Sequence, residues 1–273
     1  MNTPSSSSPL LLALTLLVAA QAASAQTVVD DFNDNNSTGW TEVSPLAGFN
    51  AAGTFTASGG TYRIQAPPSP NLQQLGPARA GAILNDFTTT DFFKVTVDLL
   101  TWDNQPETHQ SIGIVARVSN VGLGTTSGYF FHYDPHGSNG NAKIWIELIT
   151  EEQPFSLGLM EVTTPLDPTF DYRLEFTGVG SSLVGSVYLL SNLSTPLYTV
   201  SATDSTYTSG SVGLLVADQG ALTIGNQSAD ATFDNFTATA VPEPATYAAM
   251  LGVAALGAAA IARRKRRSTL RAL

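Results

Sequence analysis

The chain contains no cysteine, so it has no disulfide, no thiolate metal site and no cysteine nucleophile. It is also poor in cations: 12 Lys and Arg stand against 22 Asp and Glu, a formal charge of −10. Six of those cations fall after residue 262, which leaves Arg63, Arg79, Lys94, Arg117, Lys143 and Arg173 against 21 carboxylates in residues 26–240, a balance of −15. Such a surface repels nucleic acid and anionic membrane, stays soluble and attracts divalent cations. Nucleic-acid binding is thereby set aside. Also missing are a Gly-x-Ser-x-Gly elbow, a phosphate-cradling loop and a dinucleotide fingerprint. No stretch of residues 26–240 has the periodicity of a long helix.

What the chain does have is most specific at its two ends. Residues 10–20 (LLLALTLLVAA) are an apolar run too short to span a bilayer comfortably, and Ala23-Ser24-Ala25 supplies the small-x-small pattern that signal peptidase cleaves. A signal peptide over residues 1–25 and a mature start at Gln26 follow. At the other end, residues 245–262 are 18 residues without a formal charge, which as a helix span about 27 Å, close to the thickness of a hydrocarbon core. Arg263, Arg264, Lys265, Arg266 and Arg267 come next. Cations beside a spanning helix stay on the cytoplasmic side, so residues 268–273 read as a cytoplasmic tail and everything before residue 241 as outside.

Pro242, Glu243 and Pro244, the apolar helix and the basic cluster, in that order over residues 241–267, resemble the PEP-CTERM sorting signal of Gram-negative bacteria that export polysaccharide. The resemblance implies an exosortase as processing partner, transient residence in the inner membrane through the C-terminal helix, cleavage near the triplet, and delivery to the cell surface or extracellular matrix.

Between these signals, residues 26–240 are long enough for one sizeable all-β domain. Apolar residues alternate in short runs bounded by Gly, Asn, Asp, Pro and Ser, and in residues 94–99 the valines and Leu99 share one face while Lys94, Thr96 and Asp98 share the other. Thirteen such runs are expected as strands: 27–32, 53–57, 61–65, 80–84, 92–100, 111–118, 128–133, 142–149, 171–177, 183–189, 197–200, 211–216 and 231–239. Without intervening helices they predict a two-sheet antiparallel β-sandwich of the jelly-roll kind, with one C-terminal transmembrane helix beyond it. Asp30-Asp31-Phe32, the run from Ile112 to Arg117, the run from Gly128 to Tyr133 and Phe233-Asp234-Asn235-Phe236 are similar to the concanavalin A-like, LamG-type jelly-roll superfamily. That resemblance implies the fold. Its members include carbohydrate-binding modules, lectins, glycosidases and adhesion modules, so activity has to be argued from the site.

Retaining glycosidases need two carboxylates ~5–5.5 Å apart, which on a strand means spacings of two or four residues. The Glu-x-Asp-x-x-Glu pattern is absent. The nearest approach is Glu147 with Glu151, without an Asp between them and with Pro154 soon ending the run. A hydrolase using Glu147 and another acidic residue is therefore the alternative, and a protein-binding adhesion module is a third. His132, Asp134 and His136 offer a metal-ligand spacing but also read as a strand end entering a turn, and His109 stands alone. A binding site needs aromatic faces for sugar CH groups with polar neighbours for the hydroxyls. Trp102 is placed on a rim loop, while Tyr129, His132, Tyr133 and Trp145 lie on two consecutive strands where some of them can share a face. Trp40, Phe131 and Trp145 read equally as core. Structural calcium is the one cofactor considered: in the superfamily resembled, an ion often sits where first and last strands meet, which points to Asp30, Asp31 and Asp234. The alternative is that these carboxylates accept backbone N–H groups at strand ends. The resulting expectation is an exported, non-catalytic polysaccharide-binding or structural component of an exopolysaccharide matrix.

Overall fold

A computed structural model describes residues 25–104, 110–136, 141–218 and 227–241, together with Gly257. The expected signal peptide, transmembrane helix, Pro-Glu-Pro triplet and basic cluster lie outside the described residues, as does His109. Among the described residues no helix is long and apolar enough to cross a membrane. Residues Ala25–Val241 form one compact unit.

Among the described residues fifteen strands build this unit. They are β1 (Gln26–Asp30), β2 (Trp40–Val43), β3 (Thr54–Ser58), β4 (Thr61–Ala66), β5 (Arg79–Leu84), β6 (Phe92–Trp102), β7 (Gln110–Ser119) and β8 (Ser127–Asp134). They continue with β9 (Ala142–Thr150), β10 (Gln153–Val162), β11 (Tyr172–Val179), β12 (Ser182–Leu189), β13 (Tyr198–Thr203), β14 (Ser211–Asp218) and β15 (Ala229–Val241). Among the described residues only a 3₁₀ turn at Ala47–Phe49 and one helical turn at Leu72–Leu75 interrupt them. Sheet A runs β13-β12-β11-β6-β15-β4-β3, with β1 also paired to β15; sheet B runs β10-β9-β8-β7-β14-β5-β2. All ladders are antiparallel.

Each of the thirteen expected runs is a strand. Two more were not expected, β2 and β10, and they are the two edges of sheet B. Pro154 was read as ending a run, yet it lies inside β10. An edge strand tolerates a residue without an N–H because one side of its ladder is unpaired.

The core lies between the sheets, where period-2 alternation sends Phe93, Val95, Val97 and Leu99 of β6 toward Ile112, Ile114 and Ala116 of β7 and Tyr129, Phe131 and Tyr133 of β8. Each large apolar side chain buried there contributes about 1.5–3 kcal/mol of transfer free energy. Gly185 is required on β12 because an added Cβ would come within 2.1 Å of the Phe131 ring. Trp40 and Phe131 are core, as one reading of the sequence had it. The first and last strands meet in an aromatic cluster in which Phe32 stacks on Tyr62 at 5.0 Å and Trp40 meets Phe236 edge-on at 4.7 Å.

One irregularity repositions a charge. Along β7 the ladders to β14 and β8 both slip after Val115 and Ala116, and Arg117 has φ +52°. This β-bulge breaks the alternation, so Val115 and Val118 both face outward while Arg117 turns into the interior. There its guanidinium is 0% exposed and lies 5.2 Å from the Phe93 ring centre. It donates to three backbone carbonyls, Tyr207 (2.9 Å), Asp91 (3.0 Å) and Gly180 (2.9 Å). Burial pulls its pKa down from the usual arginine value, against the favourable field of Tyr129 and Asp91.

Candidate functional site

Strands β8 and β9 present opposite faces through alternate residues, and register decides which side chains meet. Tyr129↔Leu148, Phe130↔Glu147, His132↔Trp145 and Asp134↔Lys143 are cross-strand pairs. Tyr129, Phe131 and Tyr133 point into the core, whereas Phe130, His132, Trp145 and Glu147 share the outer face of sheet B. The row through His132 continues to Gly113 and Leu215 on one side and to Leu159, 49% exposed, on the other.

Sheet B curls toward this face. Ile83 of β5 and Ile149 of β9, with three strands between them, both pack on the cluster of Val115, Val118 and Phe130. Arg79 of β5 makes a bidentate ion pair with Glu152 in the β9–β10 turn at 2.9 and 2.6 Å, and Glu152 also accepts the Gly124 N–H at 2.6 Å.

At the centre of the face His132 is fully buried and stacks on Phe130 with ring centres 4.4 Å apart. Its Nε2 donates to Glu147 Oε2 at 3.1 Å, and in a neutral ring this leaves Nδ1 as an acceptor. Trp145 meets His132 edge-on at 5.5 Å, with the Lys143 ammonium 5.5 Å from the indole ring centre. His132 Nδ1 and Trp145 Nε1 are both buried and have no hydrogen-bond partner. Buried polar atoms are nearly always paired, at a cost of about 1–3 kcal/mol each when they are not. Two on one cross-strand pair mark this spot as chemically incomplete.

The residues expected to bind together are therefore split. His132 and Trp145 share the outer face. Tyr129 and Tyr133 face the opposite way and are fully buried. Burial, together with the bond that Tyr129 Oη donates to Asp204 (2.6 Å), pushes its pKa up to about 12; Tyr133 Oη accepts the Leu166 N–H at 3.0 Å, and burial raises its pKa as well. Trp102 was placed on a rim loop; it is instead the last residue of β6, 8% exposed, with its ring edge-on to Tyr133 and Tyr172 and Nε1 bonded to Asn104 Oδ1 at 3.2 Å. It lines the inner end of a cleft of about 480 Å³ on sheet A, with Thr101, Asp103, Gln65 and the paired Arg63 and Asp230. Phe130, Glu147 and Leu159 complete the sheet B face. Only the parity of Phe130 and Glu147 with their neighbours could have pointed to them.

The hydrolase alternative needed Glu147 and Glu151 on one strand face. Strand β9 ends at Thr150, and Glu151 and Glu152 form a turn with φ of +50° and +62°, so the parity does not carry through. His136 is held in its own turn, its N–H on Asp134 Oδ1 at 2.9 Å and its Nε2 against the Asn104 carbonyl at 3.1 Å.

The carboxylates expected to hold calcium are engaged otherwise. Asp30 Oδ1 accepts the Phe32 N–H (2.9 Å) and Oδ2 accepts Trp40 Nε1–H (2.7 Å). Asp31 accepts the Asn33 N–H and Asp234 the Asn235 N–H. Burial raises the Asp234 carboxyl, helped by the charges of Asp98 and Asp31. These are strand-end carboxylates serving backbone donors and an indole, and they do not form a metal cradle. Among the described residues no group of three His, Asp or Glu side chains is placed to hold an ion.

The two-sheet antiparallel sandwich is similar in fold to solved lectin domains. Basic winged bean lectin, solved with Tn-antigen, is 10% identical, with a TM-score of 0.52 over 81% of this chain and 100% of that chain. The exoplasmic/lumenal domain of VIP36, in a Ca2+/Man3GlcNAc-bound form, is 9% identical, with a TM-score of 0.53 over 80% of this chain and 89% of that one. At these identities the likeness is one of fold. Residues 240–267 match the PEP-CTERM protein-sorting motif, which begins within the last two residues of β15. No curated protein matches the sequence.

Proposed function

We propose that this is an exported protein, processed by signal peptidase after residue 25 and by an exosortase at its sorting signal, whose sandwich of residues 26–240 binds polysaccharide without cleaving it. Before processing, the segment 241–267 anchors it in the inner membrane with residues 268–273 inside; afterwards it belongs to the cell surface or extracellular matrix. The sorting motif supports the route.

Binding rests on one observation: the unpartnered Trp145 Nε1 and His132 Nδ1 on adjacent strands of the curled face. Trp145 is the member of the pair that reaches the surface, beside Leu159, and its ring offers a sugar the apolar platform that stacking requires. Its Nε1–H and His132 Nδ1, both buried in the free protein, become donor and acceptor for hydroxyls once the side chains shift around a bound sugar. Glu147 holds the imidazole in place. The lectin and VIP36 structures, solved with Tn-antigen and in a Man3GlcNAc-bound form, lend the same direction. A glycan array of the exported unit, with Trp145→Phe and His132→Ala alongside, tests the reading. Retention that weakens in both variants supports it. Release of reducing ends from a bound polymer would refute the non-catalytic part, and silence across the array would leave a structural or protein-binding role.

A further inference from the structure

The last strand and the first strand of the exported unit are partners. The second half of β15 is paired on both sides: to β6 through Thr237↔Thr96, Ala238↔Val95, Thr239↔Lys94, Ala240↔Phe93 and Val241↔Phe92, and to β1 through Gln26↔Ala240, Thr27↔Thr239, Val28↔Ala238 and Val29↔Thr237. Side chains reinforce the pair, Thr27 Oγ1 lying 3.2 Å from Thr239 Oγ1 and Gln26 Nε2 donating to the Asp86 carbonyl at 2.7 Å. Ala238 and Ala240 are buried in the core. The sorting motif begins at residue 240, so its first two residues are already inside the sheet and no spacer separates the fold from Pro242. The expected signal-peptidase bond, between Ala25 and Gln26, adjoins the same cross-strand pair.

Proteases take their substrates as extended, unpaired backbone, so a segment laddered on both sides is cut only after local opening. Proline has no N–H to give to a ladder, and the triplet after Val241 holds two prolines. We propose that strand β1 guards the sorting junction. With β1 docked, every bond through Val241 is held in the sheet, scission falls beyond Val241, and the mature protein keeps β15 entire, its two ends one strand apart. Removal of the signal peptide and sorting are then coupled through one ladder, because the strand freed at Gln26 is the one that covers residues 236–240. This rests on the sorting reading of the C-terminus.

The full chain in detergent micelles, digested briefly with proteinase K and analysed by intact mass, tests the guard without any exosortase. Adjacent strand residues direct their N–H groups to opposite sides, so of Thr27→Pro and Val28→Pro one removes a ladder bond to β15 and the other serves as control. The earliest C-terminal cut of the native chain is expected at or beyond residue 242, moving into residues 236–240 in one variant only. A first cut within residues 229–241 of the native chain, or no movement in either variant, overturns the proposal. Mass mapping of the product released by producing cells, with Pro242, Glu243 and Pro244 changed together to Ala as control, separates the two readings. If native and control chains both stay full length, the sorting reading fails while the protease map still judges the guard; release ending upstream of Val241 sinks the guard alone.

Discussion

Replacing Arg117 by Lys keeps the charge and most of the length, and it isolates what the guanidinium fork contributes. Its two terminal nitrogens reach carbonyls on three separate segments: Tyr207 after β13, Asp91 before β6 and Gly180 between β11 and β12. An ammonium is a single point and cannot span that spread, so two of the three bonds are lost while the cation stays buried. Hydrogen bonds to charged groups are worth about 1.5–3 kcal/mol each, and two of them, with partial relaxation of the loops, give a loss of about 3–5 kcal/mol. In a unit of this size each kcal/mol moves the melting temperature by roughly 2–4 °C, so Arg117→Lys should melt on the order of 10 °C lower. Calorimetry of residues 25–241 is the assay, with Arg117→Met as companion: it removes the buried charge but leaves three carbonyls unpaired, and it should also destabilise. If Arg117→Lys melts within about 2 °C of the native protein, below the shift expected for even one lost bond, the fork does not tie the sheets together and the reasoning fails.

Trp145→Phe deletes one buried, unpartnered N–H and keeps an aromatic ring; stability should change by less than about 1 kcal/mol while affinity for any glycan hit falls roughly ten-fold, and equal affinity would detach Nε1 from binding. Asp30→Ala strips the acceptor from Phe32 N–H and buried Trp40 Nε1–H, for a loss of about 2–4 kcal/mol in urea titration, whereas chelator should leave the melt of the native protein unchanged; a calcium-dependent shift would restore the metal reading. The Asp234 carboxyl, raised by burial and by Asp98 and Asp31, binds a proton more readily folded than unfolded, so ionising it costs stability that returns as pH falls through the raised value. Asp234→Asn should therefore be the more stable protein at pH 7, with the advantage shrinking toward pH 4 and below; an advantage independent of pH would point to packing instead.

The sorting motif was legible because its information is linear: a Pro-Glu-Pro triplet, an apolar run and a basic block require no partner. The strands were legible for a related reason, since alternation in runs such as Lys94 to Leu99 is written residue by residue. Alternation names two faces but not which is inner, and so Tyr129 and Tyr133 were grouped with His132 although β8 separates them by parity. Pro154 seemed to end a strand because only topology makes β10 an edge. Arg117 looked like one surface cation among six; a bulge, where the ladders to β14 and β8 both slip, turned it inward. Asp30 and Asp234 could be singled out by their place on the terminal strands, but not their partners: Asp30 accepts the indole N–H of Trp40, ten residues on, and Asp234 accepts the Asn235 N–H. By itself the sequence determined the all-β class, the positions of thirteen strands, the absence of disulfides and the sorting motif. Only the tertiary structure decided the curled face with His132 beside Trp145, the Arg117 clamp and the meeting of β1 with β15, because each depends on hydrogen bonds and registers between residues far apart in the chain.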